Sequence, residues 1–311
     1  MNSRFTIHDS PACARTIMLQ RARQLTAGLL AFSFLLVPLF TGCASVGDAV
    51  QIQALSQQAL FRPLSMDEIK SFSTKELGIT ADRLANVMKT SKLKPRISAA
   101  TYNIVRFGQV LYERKEYSAA RLCFEKAVQY GELSGEDRPV AISFLLASGI
   151  ELLRQKEYAK ALQVYDFINE HKLQDEIDKR NYKSFVFSLA VHYLSNEDER
   201  GGAIAESVLM MFSGTDEARK IAEILALKLL QSAVDSEKLK ELINKFPGTE
   251  AAEEAKEKLE SIEGMALDAA SREIEKLKKE RPLSRILDRA FESAEDGLDE
   301  AEKAIDSLFN K

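Results

Sequence analysis

Six side chains in this 311-residue chain are of the types that most often do covalent or metal chemistry: Cys13, Cys43, Cys123, His8, His171 and His192. Three of them lie at or before Cys43, which leaves one thiol and two imidazoles for everything downstream. A single cysteine makes no intramolecular disulfide and no thiolate cluster. Cys123 lies beside Phe124 in a helical pattern and reads as a small core residue. His171 and His192 lie in different helical stretches, with no spacing that brings both to one metal or nucleophile. A glycine-rich phosphate loop, a His-Glu-x-x-His helix and a Gly-x-Ser-x-Gly elbow are all missing from the sequence. The expectation is therefore no catalytic residue, no metal, no cofactor and no small-molecule substrate: a protein that is not an enzyme.

What remains is recognition chemistry. Ile104, Phe107, Gly108 and Leu111 form one side of a helix. Tyr102, Arg106, Gln109, Tyr112 and Glu113 fall on another side. Two tyrosines beside an arginine suit a peptide ligand, because Tyr and Arg concentrate at binding hot spots. The matching side of a second helix, Ser143, Leu146, Ala147, Ile150, Leu153 and Arg154, is mostly apolar. It reads either as a ligand surface or as a face buried under the helices at 66–90.

The elements that position these residues are helical. Fourteen Gly, seven Pro and no Trp supply little turn chemistry for an all-β fold of this length. With 45% apolar and 29% charged residues the chain is neither disordered nor a multi-span membrane protein. A formal charge of −4 gives no reason to expect nucleic acid.

Arg15, Arg21 and Arg23 precede an uncharged run from Gln24 to Gly47, with Leu29–Val37 as its apolar centre and Pro38-Leu39-Phe40-Thr41-Gly42-Cys43 as its close. Basic, apolar, then small is the order of a signal peptide. The ending resembles the lipobox of bacterial lipoproteins, although Phe40 stands where Leu is usual. The resemblance implies that residues 1–42 are removed, with a possible start at Met18, and that Cys43 carries lipid. Ala44 and Ser45 follow, with no Asp, which by the same resemblance implies the periplasmic face of the outer membrane. The competing reading is an uncut signal anchor, since the run is long enough to span a bilayer. Residues 43–64 read as a lipid-anchored linker and 65–95 as an N-terminal helical segment opened by a capping box at Ser65–Glu68.

Residues 96–263 repeat. Ile104, Phe107-Gly108, Leu111, Lys115-Glu116-Tyr117, Ala120 and Phe124 recur at one constant offset as Leu145, Ser148-Gly149, Leu152, Lys156-Glu157-Tyr158, Ala161 and Tyr165. Phe212-Ser213-Gly214-Thr215 recurs, at a shorter offset, as Phe246-Pro247-Gly248-Thr249. This resembles the tetratricopeptide repeat (TPR), a helical hairpin of about 34 residues. The resemblance implies an all-α, TPR-like solenoid of about four helical hairpins whose concave groove is lined by the Tyr102–Glu113 side. Repeats three and four fall at about 182–213 and 215–247, with a closing helix at about 250–263. The Phe-Pro-Gly-Thr segment is also similar, more weakly, to the lipoprotein subunit of the β-barrel assembly machinery.

Residues 264–311 read as an amphipathic helical hairpin. Leu287, Phe291, Ala294, Leu298, Ala301, Ile305 and Leu308 form a heptad seam. The preceding helix, 266–280, is its expected partner, turning at Arg281-Pro282. From Asp288 to Asp306 the outer face carries eight acids and two bases, a solvated face or a docking strip. The whole suggests a lipid-anchored periplasmic scaffold binding a protein or peptide in envelope assembly or secretion. The alternatives are a regulator or subunit of an envelope enzyme, or a structural protein that oligomerises through its C-terminal helix.

Overall fold

The computed structural model describes residues 46–133, 135, 137–233, 235–262 and 267–309. The signal segment and Cys43 lie outside the described residues. Every regular element among the described residues is a helix, and the fold is all-α, a repeat-like solenoid of helical hairpins. No described helix is long and apolar enough to cross a membrane.

Contacts divide the chain at Gln51/Ile52. Helix α1 (Val46–Phe61) begins before that point. Downstream of it follow α2 (Met66–Lys70) and α3 (Thr74–Thr90), both opened by complete capping boxes, Ser65 with Glu68 and Ser73 with Glu76. Each box satisfies two of the donors that a helix start leaves free. Asn103, fully buried, ties this N-terminal segment to the solenoid. Its amide donates to the Ala59 and Arg62 carbonyls, and its Oδ1 accepts from Leu64 N, at 2.8–2.9 Å. Arg114 closes the end of α2 by donating to the Lys70 and Phe72 carbonyls.

Three hairpins follow: α4 (Lys94–Glu113) with α5 (Tyr117–Tyr130), α6 (Asp137–Arg154) with α7 (Tyr158–Glu170), and α8 (Lys179–Ser195) with α9 (Glu199–Met211). Their turns are one turn, repeated at an even spacing. Lys115, Lys156 and Glu197 hold φ of 63°, 60° and 54°. After each, an amide reaches back to a carbonyl in the last turn of the helix: Glu116 to Leu111, Glu157 to Leu152 and Asp198 to Tyr193. This is the Schellman helix ending, with long polar residues at a position that usually takes Gly. The register of the first two hairpins thus extends into the third, where the helix sequences themselves no longer show it.

Close helix approach is met differently in each hairpin. A Cβ on Gly108 would lie 2.7 Å from the Phe124 ring, and one on Gly149 would lie 3.0 Å from Val164 and Phe185. In the third hairpin the glycine is on the second helix: a Cβ on Gly201 would lie 2.7 Å from the backbone at Tyr193 and Leu194. At the same spacing the first helix carries Ala190, fully buried, where the earlier hairpins carry Gly108 and Gly149.

The last part comprises α10 (Asp216–Ser232), α11 (Ser236–Lys245), α12 (Glu250–Ile262), α13 (Leu267–Glu280) and α14 (Leu283–Phe309). Thr215 and Thr249 cap α10 and α12 just after Gly214 and Gly248, whose φ values of 81° and 79° end the preceding helices. Helix α13 packs on α12 and contributes Ile274 and Leu277 to a C-terminal core. Helix α14 departs from expectation. Its main partner is α8, with α6 and α10 beside it, rather than α13. The corner at Arg281-Pro282 carries it onto the first helices of the hairpins instead of back along α13.

Candidate protein-binding groove

The side of α4 carrying the candidate residues borders an open cavity toward α6. The Arg106 guanidinium lies 5.2 Å from the Tyr102 ring and donates to Gln109 Oε1 at 2.9 Å. Glu113 pairs with Lys70 at 2.8 Å. Tyr112 is half-buried, its ring edge-on to Tyr117 at 5.0 Å and to Phe144 at 5.5 Å. Arg106, Gln109 and Glu113 share an open cavity of about 420 Å³ with Met66, Val140 and Phe144. The structure therefore gathers five of the six candidates at one place: three around the cavity, Tyr102 under the arginine, and Tyr112 packed against the Phe144 wall.

Arg154 is elsewhere, at the far end of α6, and α14 covers it. It donates to Asp299 at 2.7 Å and to the Leu298 carbonyl at 3.3 Å, and it pairs with Glu302 and Glu151. Burial works against its charge, but these carboxylates outweigh burial and raise its pKa. Nearby Tyr117 is pushed up to about 12, by burial first and then by Glu151. The apolar side of α6 is closed: Leu146, Ala147, Ile150 and Leu153 are all buried. The helices at 66–90 are not what α6 packs on; its neighbours include α14 and α8.

Helix α14 sits against the first helices through small residues. Ala290, Ala294, Leu298 and Ala301 are buried, with Leu287 and Phe291 partly so. A Cβ on Gly297 would lie 3.3 Å from Ser184 Cβ. The Ser188 hydroxyl, which donates to the Ser184 carbonyl at 2.8 Å, lies 3.4 Å from the Ala294 carbonyl, Lys220 donates to Ser293, and Arg180 pairs with Glu300. Part of the acidic strip thus faces basic residues of this chain's own solenoid. The side chains of Ile305 and Leu308, at the end of the seam, lie outside the described residues.

Sequence reasoning does not single out Ser184, Ser188, Arg180 or Lys220. The signal for Arg180 and Lys220 is charge complementarity: a strip rich in acids, and bases on the first helices of successive hairpins. The Ala290, Ala294, Gly297, Ala301 spacing is a second signal, since small residues three or four apart mark a close helix contact.

Cys123 is buried, and burial pushes its thiol up to about 12, so it is not a nucleophile near neutral pH. Among the described residues, no group of three or more His, Cys, Asp or Glu is placed to hold a metal ion. No known protein family, curated protein or solved structure matches the chain.

Proposed function

We propose that this protein is a lipid-anchored scaffold on the periplasmic face of the outer membrane, tethered through Cys43, whose solenoid holds a segment of a partner protein. The TPR-like reading of the repeats and the lipobox reading of residues 38–43 supply the class. The observation that carries the binding role is the open cavity between α4 and α6. Its wall is aromatic at Phe144, its rim holds Arg106, Gln109 and Glu113, and it remains accessible while the rest of the groove is filled. An apolar wall with a few fixed polar groups suits an extended peptide segment. The alternative of oligomerisation through the C-terminal seam has less support, because Ala290, Ala294, Leu298 and Ala301 are already buried within the chain.

The test is affinity recovery of partners from detergent-solubilised envelope, with wild type and an Arg106→Ala/Gln109→Ala variant of unchanged melting temperature. Recovery of a specific partner falls in the variant. Equal recovery from both proteins removes the cavity as the binding site.

A further inference from the structure

We propose that the part of the groove now holding α14 is a receptor site for an acidic amphipathic helix of a partner protein, and that α14 is an in-chain occupant which this helix displaces. The inference rests on the scaffold reading and names the partner's chemistry.

Charge is the first argument. The groove presents Arg154, Arg180 and Lys220 from α6, α8 and α10, and α14 meets the two arginines with Asp299, Glu302 and Glu300. A competing helix must supply carboxylates at that spacing.

Fit is the second. The occupant is undersized for its seat. Among the described residues its closest contacts are the small Ala290, Ala294, Gly297 and Ala301, with Leu298 buried and Leu287 and Phe291 only partly so. A cavity of about 270 Å³ remains between the helix, at Phe291, Glu295 and Leu298, and the solenoid, at Leu153, Tyr158 and His192. Arg154 Nε is buried there without an acceptor. Unfilled space forfeits dispersion contacts, and an unpaired donor forfeits its hydrogen bond. A helix with larger apolar residues facing that space gains the dispersion contacts, and one with a carboxylate or carbonyl within reach of Arg154 Nε gains the hydrogen bond.

The hold is the third. Arg180 and Glu300 are 70% and 59% exposed, and exposed pairs contribute little. Ser188 reaches the α14 backbone only at 3.4 Å. What seats α14 is burial of its small seam and the Arg154 contacts to Asp299, Glu302 and the Leu298 carbonyl, helped by its being in the same chain at an effective concentration on the order of millimolar. A partner helix with better fit overcomes an advantage of that size.

The experiment locks the occupant in the full chain. Ser184→Cys with Gly297→Cys places Cβ atoms near the separation a disulfide needs. Cys13→Ser and Cys43→Ser remove the competing thiols. The probes are fluorescent synthetic peptides of residues 283–304, one native and one with Glu295→Leu to fill the cavity. In reducing buffer the Glu295→Leu peptide binds about ten-fold more tightly than the native one. Both bind an Asp299→Lys/Glu302→Lys chain, whose own α14 is loosened, more tightly than wild type. Oxidation abolishes binding to the locked chain and dithiothreitol restores it. Equal binding to locked and reduced chains, or no binding to any unlocked chain, overturns the proposal. So does a disulfide that joins two chains, which assigns the groove to α14 of a second copy. If the loosened variant fails to fold, the locked and reduced comparison still decides. Partner recovery that depends on Arg106 but not on the lock leaves the scaffold standing and sinks displacement alone.

Discussion

His192 stacks face to face on Tyr158, with ring centroids 3.3 Å apart and planes 8° from parallel, and meets Tyr193 edge-on. Burial lowers its pKa, with Asp198 partly offsetting. A histidine depressed in the folded state favours unfolding in acid, because the unfolded chain takes up the proton first. The stabilisation is complete above the unfolded value of about 6.5 and is lost as pH falls below it. The melting temperature should therefore drop between pH 7.5 and 5.5 by more in wild type than in His192→Phe, as followed by circular dichroism. Parallel curves would show that the imidazole titrates as freely as in the unfolded chain. This environment is not legible in the sequence. His192 reads there as a lone imidazole, and its stacking partner comes from the neighbouring hairpin. Asn103 is similar. A polar residue within an apolar helix gives no hint that all its bonds go to the backbone of Ala59, Arg62 and Leu64. Gly108 and Gly149 can be read as sites of close approach because their spacing recurs, but nothing in the spacing says that the ring against Gly108 is that of Phe124.

Adjacent glycines in α9 separate packing from propensity at the level of one helix. A Cβ on Gly201 meets the α8 backbone at 2.7 Å, and backbone cannot rotate away as a side-chain tip can. Gly202 has nothing within 4 Å of the same position. Gly201→Ala should therefore cost about 1–3 kcal/mol through overpacking. Gly202→Ala should stabilise by about 0.5–1 kcal/mol, because Ala loses less conformational freedom in a helix. Urea denaturation of the two variants checks both signs. Two losses of equal size would mean that α9 is not seated on α8 as described. The hairpins are legible because each is local: a helix, a fixed turn and a returning helix recur at a constant offset. The docking of α14 is not legible in the same way. Its heptad pattern shows that one face is buried but does not say against what, and nearness along the chain points to α13. The actual partners lie far upstream, from Lys220 back to Arg154, beyond the reach of any periodicity.

Two cores run through the residues after the division at Gln51, and α10 belongs to both. Ile221 and Ile224 join the core of the three hairpins, while Ala226, Leu227 and Leu230 join the core built from α11, α12 and α13. In a solenoid each unit is held mainly by its neighbours, so a shared helix and the ties across it set how far unfolding spreads. Arg281 is such a tie. From the corner between α13 and α14 it pairs with Glu223 of α10 at 2.8 Å, with Glu254 of α12 at 2.8 Å, and with Glu250. Glu223 is only 14% exposed, and burial raises its pKa despite the arginine beside it. Arg281→Ala would leave that carboxylate with only the backbone amides of Glu250 and Ala251 to stabilise its charge. Removing one member of a buried pair costs several kcal/mol; with Glu250 and Glu254 in solvent, the expected loss here is about 1–2 kcal/mol. The loss should be confined. Amide exchange across 236–280 should quicken about five- to thirty-fold, while 94–170 keeps its wild-type protection. Equal acceleration in both stretches would mean that α10 welds the two cores into one cooperative unit. In that case α14 could not be displaced without loosening the C-terminal helices, so the measurement also sets how independent the groove's occupant is from the body that carries it.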